Sequence, residues 1–343
     1  MKQLGAFSKI VFWTNVFFAL LLLISFVLPY LPPSTFPTLA ILSLGVSPLI
    51  LINIIFAVFW VFKLKKQFLL STIVLVIAFF HFNPFLEISS EGDTSQYNEL
   101  LSVMSYNVRL FNAYEAKPDR NAEEVLSEIL TTKKPDVLSI QEYYRESQLG
   151  FHDYPYQYIH YKDGNNKLGH AILSKYPIVN QGAFDFKDSY NNALYADIVK
   201  GSDTIRVYNL HLQSLGILPR LDYLQDGNKD RLRKRMANAF KKQEYQTKII
   251  LTHKESSPYP VIINGDFNNT PFSYIYRRLQ DGMKDGFLER GSGLGTTFTF
   301  DSYPMRIDYI LTESDFDIVR FETVDNSFSD HYPVYAILGW NKK

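Results

Sequence analysis

The sequence predicts an α+β chain in which a water-soluble part with mixed or antiparallel sheets follows a membrane part of three transmembrane helices. Three observations predict it. No Asp, Glu, Lys or Arg occurs from Ile10 to Phe62. Short apolar runs of strand type recur after Leu100, many without a helix between them. Polar residues stand in or at the ends of several of those runs.

Three apolar stretches, Ile10–Leu28, about Thr38–Phe62 and about Gln67–Leu86, each come close to the roughly 20 residues that cross a hydrocarbon core. Pro29, Pro32 and Pro33 end the first, and Gly45 and Pro48 predict a kink in the second. The residues after the first stretch offer no small-x-small cleavage pattern, so it is read as retained and not as a signal peptide. Lys2 and Lys9 precede the first stretch, and Lys63, Lys65 and Lys66 separate the second from the third. Positive-inside bias puts both clusters in the cytoplasm and the remainder outside it, in the periplasm if the source is Gram-negative, with the helices in the inner membrane. Residues 1–86 are thus expected to be a membrane domain, 87–99 a polar linker and 100–343 a soluble domain.

Strands are expected at Leu101–Tyr106, Val137–Ile140, His170–Leu173, Ala193–Val199, Ile205–Leu210, Val261–Ile263, Ile307–Leu311 and Val334–Leu338. Helices are expected at Ala122–Thr131, Lys229–Leu251 and Ser273–Leu279.

Formal charge is zero, 35 basic against 35 acidic residues. The first 98 residues hold five lysines and three carboxylates, +5 − 3 = +2, which leaves the soluble part at −2. Such a domain lacks the basic excess usual in a protein devoted to grasping nucleic acid. The chain has no cysteine, so any metal site must be built from oxygen and imidazole. Within Lys229–Lys248, eight basic residues face two acidic ones, +8 − 2 = +6. Leu232, Met236 and Phe240 at four-residue steps turn toward the core, so the charge is read as a solvated face.

The chemistry is carried by short polar insertions. Ile263-Asn264-Gly265-Asp266-Phe267-Asn268 ends an apolar strand with two polar side chains two residues apart, hence on one face. Ser329-Asp330-His331-Tyr332-Pro333 stands before the last strand. Asn107 follows Val103-Met104-Ser105-Tyr106, Glu142 follows Leu138-Ser139-Ile140-Gln141, His211 follows Val207-Tyr208-Asn209-Leu210, and Asp308 follows Arg306-Ile307. Burying unpaired carboxylates is costly, so several that converge imply a cation or a hydrogen-bonded site.

Taken in order, Ser-x-Asn, Gln-Glu, Asn-x-His, Gly-Asp-Phe-Asn, Ile-Asp-Tyr and Ser-Asp-His resemble the endonuclease/exonuclease/phosphatase family over about residues 100–340. The resemblance implies an α/β (α+β) fold, a four-layer αββα sandwich with two mixed β-sheets. It also implies a divalent-metal-dependent hydrolase of phosphoester or phosphodiester bonds using Mg²⁺ or Mn²⁺. Glu142 is then the principal metal ligand, with Asn107 and Asp330 beside it, and hard cations suit these oxygens. Asp266 aligns or deprotonates water, Asn268 holds a phosphoryl oxygen, His331 oriented by Asp308 contacts the phosphate, and His211 serves the leaving-group side.

Asn107-Val108-Arg109 resembles the deoxyribonuclease pattern Asn-x-Arg, which makes Arg109 a candidate phosphate contact and an endonuclease-like activity the first expectation. His170 is read as structural. The expected partners are a lipid bilayer and a phosphoester substrate, nucleic acid or a phospholipid headgroup. A phospholipid or sphingomyelin phosphodiesterase and an inositol-type phosphatase are the alternatives. A catalytically inactive binding module on a membrane scaffold is the reading from another class.

Overall fold

The structure is a computed structural model that describes residues 5–82, 86–115, 117–145, 147, 149–162, 167–217 and 228–341. In the Glu99–Asn107 strand, Leu101 and Val103 face one apolar core while Met104 and Tyr106 face another. The same period of two separates Val207 from Tyr208 and Ile262 from Ile263. These strands are covered on both faces, which is why they read as near-continuous apolar runs.

The covering is four layers deep. Leu101, Val103, Val137 and Ile172 of one sheet meet Leu194, Ala196, Val207, Ile262 and Ile310 of the other in the central core. Outside the first sheet the Ala122–Lys133 helix buries Val125, Leu126 and Ile129. Outside the second, Ile250 of the Lys229–Glu255 helix and Ile275, Tyr276 and Leu279 of the Tyr274–Gln280 helix pack on Tyr208, Ile263 and Tyr309. Asn121 and Ser273 start two of these helices by accepting hydrogen bonds from first-turn amides.

Each sheet has six strands. The first runs Asp317–Thr323, Val334–Trp340, Glu99–Asn107, Val137–Tyr144, Leu168–Ser174, Tyr156–Tyr161. The second runs Lys284–Asp285, Asp308–Thr312, Val261–Asp266, Asp203–His211, Asn192–Lys200, Ile178–Asp185. Both have one parallel pair at the centre and antiparallel pairs on either side. The parallel pairs end at Asn107 opposite Gln141 and at His211 opposite Asp266. Polar residues at the ends of separate strands are thereby brought to one edge of the sandwich.

The N-terminal segment departs from the expectation of three spans. Among the described residues two helices are long and apolar enough to cross a membrane, Ala6–Tyr30 and Pro37–Phe62. The third apolar helix, Phe68–His81, has 14 residues, about 21 Å at 1.5 Å per residue, against a hydrocarbon core of about 30 Å. Residues 83–85 of the expected third span lie outside the described residues. The second stretch is broken, as Gly45 and Pro48 predicted, into Pro37–Ala40, a 3-10 turn Ile41–Gly45 and the helix Val46–Phe62.

The Ala6–Ser25, Val46–Phe62 and Phe68–His81 helices share a buried polar knot. Asn15 Nδ2 donates to Ser71 Oγ at 2.5 Å, Ser71 Oγ to Asn53 Oδ1 at 3.0 Å, and Trp60 Nε1 to Asn15 Oδ1 at 3.1 Å. Their outward residues are apolar and exposed, among them Phe7, Ile10, Trp13, Ile55 and Phe80.

This segment rests against the sandwich. Phe272 is buried among Leu22, Leu28, Val46 and Phe82, the Ser34 hydroxyl donates to Glu244 Oε1 at 2.9 Å, and Thr270 Oγ1 donates to the Ser43 carbonyl at 3.3 Å. The polar stretch after it is also held. Glu87–Ile88 pairs with Ser292–Gly293, and the Gly92 amide donates to the Val319 carbonyl.

Candidate active site

Strand register builds the site. Asp266 lies opposite His211 on one side and Asp308 on the other, so three adjacent strands present His, Asp and Asp in a row. Gly265, at φ +132°, makes this approach possible, since a Cβ there would lie 2.0 Å from the Leu210 carbonyl oxygen. From the facing sheet come Asn107 and Glu142. Pairing shifts register between Ile140 and Tyr143, and Glu142 sits within that irregularity at φ +54°. A bulge re-aims a side chain, and a left-handed non-glycine residue marks strain held by its surroundings.

Asn107 joins the two sheets' carboxylates. Its Nδ2 donates to Asp266 Oδ2 at 3.1 Å and to Glu142 Oε1 at 3.3 Å. Asp266 also accepts from the Asn268 amide at 2.8 Å and from Asn268 Nδ2 at 3.2 Å, with Asn268 at φ +50°. His211 Nε2 stands 3.7 Å from Asp266 and 3.8 Å from Glu142. His331 Nδ1 lies 3.0 Å from Asp308 Oδ2, and its Nε2 points to Asp266 at 3.8 Å.

Burial pushes the Asp266 and Glu142 carboxyls above their ordinary range, against the nearby charge of His331. The histidines diverge. Burial, then the neighbouring His170 and His331, holds His211 well below its usual value, so it is neutral. Burial would also lower His331, but the carboxylates of Asp308 and Asp266 outweigh it and raise it to about 10. Pairs of like groups driven apart by their surroundings mark acid–base division of labour.

Asp330 and Arg109 stand at the rim. Arg109 Nε lies 3.8 Å from Asp330, and its Nη1 lies 2.7 Å from Glu115 Oε1. Glu142, His211, Asp266, Asn268, Asp330 and His331 are among the residues that line a cavity of about 910 Å³. Among the described residues of the site, two donor groups could hold a cation. Asp266, Asp308 and His331 bring one atom each within 4.8 Å of one another, but a charged His331 already bound to Asp308 repels a cation. Glu142 fits better, because a desolvated carboxylate suits a hard divalent ion; the Asn107 amide turns Nδ2 to Glu142 and Oδ1 to the Arg109 amide, so it would have to rotate to add its oxygen.

Comparison with known proteins shows the family and the fold. Residues 104–331 match the endonuclease/exonuclease/phosphatase family. The chain belongs to that family. Residues 8–85 match a domain of unknown function, DUF8431. Solved structures of similar fold include an endonuclease/exonuclease/phosphatase from Beutenbergia cavernae DSM 12333, 18% identical with TM-score 0.53, covering 71% of this chain and 72% of that one. The mannosyl-6-phosphatase Bt3783 of Bacteroides thetaiotaomicron VPI-5482 is 18% identical with TM-score 0.51, covering 70% of this chain and 100% of its own. TDP2 from C. elegans is 18% identical with TM-score 0.50, covering 71% and 76%. No curated protein matches the chain.

The family fold also explains residues to which the sequence assigned no role. Gln141 Nε2 donates to Asn209 Oδ1 at 2.6 Å, and Asn209 Nδ2 donates to the carbonyls of Ile140 and Ala171. This fully buried bridge ties the sheets together directly beneath Glu142 and His211. Thr297 Oγ1 accepts from the amides of Ile307 and Asp308 and fixes the start of the Asp308 strand. Gln141 and Asn209 stand in the Gln-Glu and Asn-x-His motifs, though their bridge was not foreseen; Thr297 offers no such signal.

Proposed function

We propose that the soluble domain is a divalent-metal-dependent phosphoester hydrolase that activates water, with Mg²⁺ or Mn²⁺ held by Glu142 and Asn107 and with Asp330 at the edge of the site. The observation that carries this is the shared hydrogen bonding of Asn107 to Glu142 and Asp266, flanked by one neutral and one charged histidine. When bound, the ion offsets phosphate charge that otherwise resists attack.

The side chains divide the remaining work. Asp266, with its raised pKa, accepts a proton from water near neutral pH. Asn268 holds a phosphoryl oxygen. His331, charged and held by Asp308, faces the phosphate as charge develops. His211, being neutral, donates a hydrogen bond on the leaving-group side. Arg109 pairs with Glu115 and lies 3.8 Å from Asp330 at the half-exposed rim of the cavity, where it can meet the phosphate of any phosphoester, so the Asn-x-Arg pattern does not by itself favour nuclease.

The helical segment is proposed as a bilayer anchor. An apolar outside around a polar inside is the inverse of a soluble bundle and suits lipid. His81 stacks on Phe26, and Phe82 meets Phe272, so the chain leaves the helices beside the catalytic domain. Lys63, Lys65 and Lys66 lie at the opposite ends of the helices, which supports an extracytoplasmic catalytic domain. Full-length protein, assayed with Mn²⁺ or with EDTA on plasmid DNA, phospholipids and sugar phosphates, tests the activity. EDTA-sensitive hydrolysis is expected, and EDTA-resistant hydrolysis contradicts it.

A further inference from the structure

The cavity does not end at the catalytic side chains. Both parts of the chain line it: Ile41, Leu44 and Pro48 of the N-terminal segment, and Leu232, Met236 and Phe300 of the catalytic domain. The Pro37–Gly45 segment packs there because Gly45 and Pro48 break the helix and Ser43 and Ser34 bond the domain. Leu39 and Leu42 on the same segment are exposed, as are Val27 and Tyr30 at the end of the first helix. Exposed apolar side chains thus stand on the same segment that lines the cavity.

At about 910 Å³ the cavity is near the upper end of small-molecule sites, roughly 300–1,000 Å³. Its charged lining residues are Glu142, Asp266, Asp301 and Asp330 against Arg109 and the charged His331. The helix that supplies Leu232 and Met236 also carries the basic residues of Lys229–Lys248, so charge does not separate DNA from a lipid phosphate and the apolar lining is what distinguishes them. A lining that combines the polar catalytic groups with Ile41, Leu44, Pro48, Leu232 and Met236 matches a molecule that has both a phosphate and a hydrocarbon part.

We infer that the substrate is a lipid phosphoester whose hydrocarbon lies between the Pro37–Pro48 segment and the Lys229–Glu255 helix while its phosphate sits over Asp266 and His331. This rests on the phosphoester-hydrolase reading and adds the substrate class. The helical segment then forms part of the binding site as well as an anchor. It also opens the site toward the leaflet from which such a substrate comes.

Alkylphosphonates, which mimic the phosphoester without being hydrolysed, separate the two readings. Full-length protein in phosphatidylcholine nanodiscs with Mn²⁺ is titrated with methyl-, butyl- and octylphosphonate, with affinity read by competition against inorganic phosphate. Affinity should rise roughly threefold per methylene over about four methylenes, about 100-fold in all, the scale of transferring them out of water. The double variant Ile41→Ser, Leu44→Ser should lose about tenfold of that preference in the same nanodiscs. Equal affinity for methyl- and octylphosphonate overturns the proposal, and so does a preference unchanged in the variant. An oligonucleotide that displaces octylphosphonate at lower concentration than the lipid analogue overturns it in favour of nucleic acid. Binding of neither phosphonate nor inorganic phosphate overturns the underlying hydrolase reading with it.

Discussion

His331 and Asp308 form a buried pair in which the imidazole Nδ1 lies 3.0 Å from a carboxylate oxygen, leaving Nε2 aimed toward Asp266. The carboxylate fixes the orientation of the ring and, with Asp266, overcomes the desolvation that would otherwise strip its proton. Asp308→Asn keeps the shape and removes the charge. It should lower kcat/KM by about 10²- to 10⁴-fold, the range for a positioned acid–base group, and move the alkaline limb of the pH–rate profile downward from about 10. An unmoved limb would separate His331 from Asp308.

The same pair has a signature in stability. The folded state holds His331 at about 10, above its ordinary 6.5, so its stabilisation is fully present below pH 6.5 and is lost as pH rises through 10. In metal-free protein, the gap in urea midpoint between wild type and His331→Gln should shrink steadily across that window. A gap that widens toward pH 10 has the wrong sign for this account.

Gly265 is a backbone requirement of the site. Gly265→Ala places a Cβ 2.0 Å from the Leu210 carbonyl and forces apart two paired strands. The expected cost is about 4 kcal/mol or more, a fall in Tm of roughly 10 °C for a domain of this size. A variant that melts within a degree or two of wild type would show that the strands relax freely.

Much of the sandwich was legible because its central strands are buried on both faces and carry apolar runs. Seven of the eight expected strands lie within the observed ones. The eighth, Ile307–Leu311, is displaced by one residue, to Asp308–Thr312. Tyr156–Tyr161, Ile178–Asp185 and Asp317–Thr323 were missed for one reason. Each is at or beside the edge of a sheet, and such a strand can carry Asn180, Gln181 or Arg320 without penalty. The Lys229–Glu255 helix was found from spacing alone, and its Leu232 and Met236 face the cavity.

The site was legible as a set of polar residues at strand ends, since side chains that interrupt buried runs stand out. What held them was not. The Gln141–Asn209 bridge spans 68 residues of sequence, and Thr297 contacts backbone amides that no pattern announces. The cavity wall from Ile41 to Pro48 was invisible because an apolar residue reads the same against lipid, core or substrate. The third helix was over-read for a related reason: apolar composition continues past His81, but the helix does not.

The most direct test of the account is metal-dependent turnover by full-length protein and by its Glu142→Gln variant. Glu142 is a desolvated carboxylate, so removing its charge should raise the Tm of metal-free protein slightly while abolishing both the Mn²⁺-induced rise in Tm and hydrolysis. Wild type should show both, and EDTA should remove them. A Glu142→Gln variant that still hydrolyses phosphoester with Mn²⁺ would contradict the assignment of the metal and the mechanism built around it.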